Sequence, residues 1–508
     1  MVALKNTVLC NKPMPSYRES TIPLNLFQTW HTNELPPGMY ECVQALKEAN
    51  PEFTHHFFND DMCREFIKVH FDDNVLHTYD KLKPGAYKAD LWRYCVLYVH
   101  GGIYLDIKYR CVAPFKLIEL TTKEHFVRDR DYGDNPGVYQ AMLVCYPKNP
   151  ILLQCIHKIV EYTRQLEYGA TVLFLGPLLV ASFFNRSEMQ TWDMKYTGLQ
   201  IVRQENPILE MYTDYYQEVN KTAIRTYYMD SWCNRDIYTL PSLSSKKTHV
   251  LTRSISYQNS LLFVHSPIWI DQGTERTLCY QWGSYVSRED GTFSGVREGL
   301  MTKGTMTTDT FAGADSTVCV PMVTQVSLHA TDGIQYTYST RDGLFSGPDM
   351  DTAPPLTPCV DVMVHGMGSS ITLDQPCFIY RWFPMLVLLP STQVHAISYH
   401  TPSFFKECTS SVPCIRREDK YCSVLTKCIQ YELDGIPRKK YAHFFVVLDM
   451  YLNVVKYSEF FILENSSVSI ISDFHIQDTK WTLGFTVSNN ICMICDYDES
   501  DILALHWT

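Results

Sequence analysis

Apolar residues recur at helical spacing in several stretches of the first half of the chain and at strand spacing in the second. The 3.6-residue pattern predicts helices over residues 37–50, 62–70, 87–99 and 151–164, and Gly176-Pro177 opens another. Asp60 or Asp61 is placed to cap the second of these. Short β-prone runs at 21–30, 52–59, 103–105 and 136–150 lie between them. Helices alternating with short strands imply an α/β domain. Across 288–315 Gly and Thr become frequent and the periodicity fades, which suggests a linker or domain rim. Beyond it the helical period disappears. Runs at 423–431, 443–449, 467–476, 481–487 and 491–497 read as strands. Turn pairs such as Asp434-Gly435, Glu464-Asn465 and Asn489-Asn490 punctuate the region, as in an all-β domain.

A chain of 508 residues is too long for one ordinary core. The division expected is an N-terminal segment (1–20), an α/β domain (21–285), a linker or rim (286–315) and a β-rich domain (316–508). A net charge of −11 argues against general nucleic-acid binding, which needs a basic face. The sequence has no apolar run long enough for a membrane helix, and the first twenty residues hold no apolar leader core, so a cytoplasmic chain is expected. Among the 18 cysteines, Cys408, Cys414, Cys422 and Cys428 are too loosely spaced for a zinc site, and Cys492-x-x-Cys495 stands alone. Reduced thiols are therefore expected, many in the core.

Candidate chemistry concentrates in residues 84–109, P-G-A-Y-K-A-D-L-W-R-Y-C-V-L-Y-V-H-G-G-I-Y-L-D-I-K-Y. This reads as a mostly buried helix, a Gly101-Gly102 break where positive φ is cheap, and a short strand. Asp90 and Arg93, three apart, share one helical face. Asp106 and Lys108, two apart, leave the same side of an extended chain. Four charges from two adjoining elements suit a polar ligand such as a sugar diphosphate. Taken singly, Asp90 and Arg93 read equally as a surface pair and Asp106 as a turn cap.

Together, A-D-x-x-R-Y followed by G-G-I-Y-x-D-x-K resembles the sugar-binding region of glycosyltransferase family 32, in which a D-x-D motif is usual. That family includes the yeast Golgi initiating mannosyltransferases, and the likeness is strongest to glycosyltransferases of giant DNA viruses of the mimivirus kind. It extends from T-I-P-L-N-L-F-Q-T-W at residue 21 to about Gln272. Gln140 and Leu175 stand where the family has Asn and Thr. The resemblance implies a GT-A-like fold, a twisted, mostly parallel sheet between helices, and transfer of a hexose from a UDP- or GDP-sugar to a hydroxyl with retention. The acceptor it implies is a glycan, glycolipid or protein.

By that resemblance Asp90, Arg93 and Asp106 hold the donor sugar, while Gln28 and Trp30 contact the nucleotide. His265 and Trp269, in L-F-V-H-S-P-I-W, meet the leaving group. Trp30 reads equally as a core aromatic, and His265 as a structural histidine. In the family the second Asp of D-x-D binds Mn²⁺. Lys108 stands there, and an ammonium cannot ligate a cation. Three readings follow: Lys108 itself neutralises the diphosphate; Mn²⁺ or Mg²⁺ is held by Asp106 and His265; or the site is degenerate and the protein only binds carbohydrate. The β-rich end resembles the C-terminal domain of the giant-virus enzymes, itself similar to five-bladed propellers, although residues 316–508 are short for five blades. Viral kinship would put the chain in host cytoplasm or the virion.

Overall fold

A computed structural model describes residues 20–132, 136–221, 228–245 and most of 401–508 in full; for parts of the chain between 246 and 400 it gives strands only. Two compact units are present, Met1–Thr239 and Leu240–Thr508. Within the 286–315 stretch read as a linker, Phe293–Thr302 is a strand paired with Glu275–Ser287. Apart from these two strands the stretch lies outside the described residues, as do the side chains of His265 and Trp269, on the strand Leu261–Gln272 in the second unit.

The first unit begins β1 (Asn25–Thr29), α1 (Pro37–Ala49), β2 (Thr54–Phe58), α2 (Asp60–His70), α3 (Asp73–Lys81), α4 (Gly85–His100) and β3 (Gly102–Leu105). It continues with β4 (Tyr109–Cys111), β5 (His125–Tyr132), β6 (Asn135–Cys145), α5 (Pro150–Gln165) and α6 (Pro177–Ala181). After these come β7 (Met194–Tyr196), β8 (Gln200–Arg203), β9 (Asn206–Met211) and α7 (Tyr215–Lys221). Asn59, rather than Asp60 or Asp61, caps α2: its side chain accepts from the Met62 amide at 2.8 Å. The two aspartates occupy the first turn, where they still favour the helix dipole.

One nine-stranded sheet, in the order β2-β1-β3-β6-β5-β7-β8-β9-β4, carries the unit. It is mixed and not mostly parallel as expected. β1 runs parallel to β2 and β3, and β5 to β7, whereas the remaining pairs are antiparallel. The reason lies in the connections. Helices separate β1, β2 and β3 in the chain and permit parallel crossovers, but β5 runs almost directly into β6, and β8 into β9, and so short a link forces reversal.

β3 is an interior strand, third from one edge of the sheet, and is buried along its whole length. Ile103 and Leu105 join Leu26 and Leu46 in the core on the α1 side. Tyr104 alternates to the other face, where Trp92 of α4 meets it edge-on at 6.2 Å. Gly101 and Gly102 have φ of 62° and 118°. A β-carbon on Gly102 would lie 2.5 Å from the Asn25 carbonyl oxygen, so this break needs glycine for space as well as torsion. The turn delivers β3 from the end of α4 and lays the two elements side by side.

The second unit is β-rich, and a short α-helix, Glu499–Leu503, lies near its end. β10 (Lys420–Leu433) and β11 (Ile436–Asp449) form a long hairpin closed by Asp434-Gly435, both at positive φ. β12 (Ile470–Gln477), β13 (Lys480–Val487) and β14 (Ile491–Asp498) form an antiparallel sheet. Val424, Phe445, Phe474, Trp481, Leu483 and Phe485 pack into one core between them. These are the strands that the period-2 pattern predicts. No propeller is seen among the described residues. Nor, among them, is any helix long and apolar enough to cross a membrane.

Candidate functional site

Asp90, Arg93, Asp106 and Lys108 come together at the carboxyl end of β3. On α4, Arg93 Nη1 bonds Asp90 Oδ1 at 2.8 Å and also donates to the Gln140 carbonyl of β6 at 2.8 Å. Its guanidinium lies over the Tyr104 ring, 4.5 Å from the centroid, and its Nη2 stands 4.0 Å from Asp106 Oδ1. The Tyr104 hydroxyl donates to Asp106 Oδ1 at 2.8 Å, and Lys108 Nζ bonds Asp106 Oδ2 at 2.7 Å. The Asp106 carboxylate is thus shared between two sides, Arg93 with Tyr104 on one and Lys108 on the other.

Asp106 and Lys108 do not meet along an extended chain, as the sequence suggests. The Tyr109 amide bonds the Asp106 carbonyl at 3.1 Å, closing a turn over residues 106–109 that folds the lysine back onto the aspartate. Alternation along a strand was the wrong geometry for two residues just past its end.

Burial sets the charges. It drives the Asp90 carboxyl up from its ordinary 3.8 to about 6, against the pull of Arg93, and the nearby Asp106 charge adds to the rise. Burial would also raise Asp106, but Lys108 and Arg93 outweigh it and hold this carboxyl down at about 2. Burial works against the Lys108 charge; Asp106 more than offsets it and raises the lysine above its usual range. Two carboxylates on one site are therefore separated, Asp106 held toward its charged form and Asp90 toward its neutral one.

The sign of the Asp90 effect follows from linkage. Between about pH 4 and 6 the unfolded chain has released this proton and the folded chain has kept it, so the Asp90 contribution to stability is full below 4 and is lost as pH rises to 6. Ligand binding that needs the carboxylate runs the other way. The affinity of such a ligand is expected to rise with pH through a midpoint near 6, and Asp90→Asn should abolish that limb. A limb that persists in the variant would assign it to another group.

Sequence reasoning passed over Gly176. A β-carbon there would stand 2.7 Å from Asp90 Oδ2, so this glycine forms the wall behind the carboxylate. Gly176→Ala should push Asp90 aside, costing about 1–3 kcal/mol of stability through overpacking and weakening the binding of whatever ligand this carboxylate holds. Ligand affinity measured beside thermal melting checks this; a lower melting temperature with unchanged affinity would make the wall a packing feature only. The L-G-P string is the signal that could have found it.

Gln140 is fully engaged within the protein. Its side-chain oxygen accepts from the Tyr94 hydroxyl at 2.7 Å and its amide donates to the Val138 carbonyl at 2.9 Å. It braces Tyr94 and Arg93 from behind. Gln28 and Trp30 lie on and just after β1, the strand beside β3. Gln28 is wholly buried with its oxygen on His55 Nε2 at 2.8 Å. Trp30 packs in a core with Met39, Val43, Ile107 and Tyr212.

The residues around Asp106 do not fit a divalent cation. Both carboxylate oxygens already accept hydrogen bonds, one from a phenol and one from an ammonium. Calcium- and magnesium-type ions need several oxygen ligands. Among the described residues, no three His, Cys, Asp or Glu side chains gather to hold a metal.

Residues 36–126 match the family described as "Glycosyltransferase sugar-binding region containing DXD motif". Inositol phosphoceramide mannosyltransferase 3 of Schizosaccharomyces pombe is 32% identical over 180 residues, 35% of this chain and 49% of that protein. An uncharacterized glycosyltransferase of Acanthamoeba polyphaga mimivirus is 36% identical over 92 residues, 18% of this chain and 37% of that one. The match spans about half the length of the yeast relative. Among solved structures, the PaToxG glycosyltransferase aligns at a TM-score of 0.25 and 16% identity over 33% of this chain and 70% of that one, too loosely to bear on the fold. The motif, its flanking helix and its strand thus fall within the part of the chain, residues 36–126, that is similar to a glycosyltransferase sugar-binding region, with D-I-K in place of D-x-D.

Proposed function

We propose that the protein transfers a hexose from a nucleotide sugar to a hydroxyl acceptor, with retention, in a GT-A-type first unit. The observation that carries this reading is the Asp90–Arg93–Asp106–Lys108 constellation, its helix pair buried and its Asp106–Lys108 pair partly exposed. It sits at the carboxyl ends of β1 and β3, neighbouring strands whose connections lead opposite ways, β1's to β2 at one edge and β3's to β4 at the other. Ligands of open α/β sheets bind at such a point. Asp90 takes donor hydroxyls, Arg93 orients both aspartates, and Asp106 lies between the two substrates. Lys108 has three N–H donors. One is on Asp106, and the others are available to a diphosphate leaving with its charge. Relatives named as mannosyltransferases make GDP-mannose the first donor to try.

The test is release of nucleoside diphosphate from a panel of GDP- and UDP-hexoses, run beside thermal shift with the same compounds. Turnover with any of them supports transfer. Stabilisation by a donor without turnover favours the second reading, a carbohydrate-binding protein with a degenerate site. The internal closure of the Lys108–Asp106 pair is the observation on that side. Neither stabilisation nor turnover would remove both.

A further inference from the structure

We propose that the tyrosine cluster around Lys108 is the acceptor subsite, a platform for the apolar face of a pyranoside. This rests on the transferase reading above. Lys108 Nζ stands 5.5 Å from the ring centre of Tyr109 and 5.7 Å from those of Tyr139 and Tyr215. The Tyr109 and Tyr139 hydroxyls bond at 2.7 Å. Behind Tyr139, Tyr196 stacks almost parallel at 3.9 Å, with Arg130 5.8 Å from its ring centre. Tyr216, 57% exposed, lies 5.3 Å from Tyr215.

These rings grade from floor to rim. Tyr109 and Tyr215 are buried, Tyr139 and Tyr196 half-buried, and Tyr216 open to solvent. The cluster thus opens from a buried floor to solvent, and the Lys108–Asp106 pair at its floor is itself partly exposed. The cluster adjoins the donor side at Lys108. Asp106 turns Oδ1 toward Arg93 and Tyr104 and Oδ2 toward Lys108. A donor sugar on Asp90 and an acceptor on the tyrosines would thus meet at Asp106, with the acceptor on the same side as the diphosphate held by Lys108, the approach that retention needs. Pyranosides present C–H groups on one face and hydroxyls around the edge. An aromatic face takes the first and a rim of Arg130 and phenols takes the second.

The experiment uses the full chain with Tyr196→Ala and, as a rim variant that leaves the interior intact, Tyr216→Ala. GDP-mannose and the other donors are offered with and without methyl α-mannopyranoside, methyl α-glucopyranoside and methyl β-galactopyranoside. The expected result is a rise of about three- to tenfold in the KM of the pyranoside that accepts, with donor KM and acceptor-free nucleotide release unchanged. A parallel rise in donor KM would make the platform a nucleobase site, and an unchanged acceptor KM in both variants would make it structural; either overturns the proposal. If the wild type releases no nucleotide from any donor, the transferase reading fails separately. Saturation-transfer NMR with the three methyl pyranosides then decides the platform. Saturation in wild type and its loss in Tyr196→Ala support it, and absent saturation in wild type or its retention in the variant sinks it.

Discussion

Lys108→Ala is expected to lose about 10²–10³-fold in transfer rate, the usual effect of removing one electrostatic donor from a developing charge. The side chain is held by Asp106 at 2.7 Å and mostly withdrawn from solvent, and its charge is secured by that carboxylate. On the proposed reading it brings a fixed cation to the place where a D-x-D motif has its second carboxylate. The converse change is the sharper test. Lys108→Asp frees Asp106 from its ammonium partner and restores two carboxylates at D-x-D spacing. This variant should regain activity only when Mn²⁺ is added, while the wild type should be indifferent to chelator. A nearly silent Lys108→Ala together with a wild type that dies on chelation would leave a conventional metal-dependent enzyme and remove the lysine from the mechanism.

Asp90→Ala should lose both activity and stability, and the structure says why the two must be separated. Arg93 is 6% exposed, and without Asp90 its nearest acceptors are the Gln140 carbonyl and an Asp106 oxygen 4.0 Å away. Stranding half of a buried ion pair costs about 3–5 kcal/mol, so a dead Asp90→Ala could simply be a loosened one. Asp90→Asn keeps an oxygen for Arg93 and removes only the charge. Its transfer rate should fall by roughly 10–10²-fold, the worth of a charge-assisted hydrogen bond to a substrate hydroxyl, with a much smaller drop in melting temperature. Turnover by Asp90→Asn at the wild-type rate, at a pH well above 6, would exclude the carboxylate from donor binding.

The elements of this protein were legible in its sequence because they rest on local physics. Tyr87 to Val99 carries no helix breaker, Gly101-Gly102 supplies positive φ, and Ile103–Leu105 is β-prone, so helix, break and strand fall where the pattern puts them. Asp434-Gly435 dictates its hairpin in the same way. The charges of the site were legible too, since Asp90 and Arg93 sit one helical turn apart whatever surrounds the helix. Burial, partner choice and approach were not. That Asp106 lies between Arg93 and Lys108, that the main chain turns immediately after it, and that Gly176 backs Asp90 from 86 positions away are facts of packing. The mixed order of the sheet belongs with them, because strand pairing depends on connections that no periodicity records. So does the tyrosine cluster, whose rings arrive from β4, β6, β7 and α7, separately unremarkable and joined only when the sheet closes around Lys108. Dihedral preference and hydrophobic period act over a few residues; contacts between distant segments are chosen by which packing buries the most apolar surface with its polar groups satisfied, and only the folded chain makes that choice.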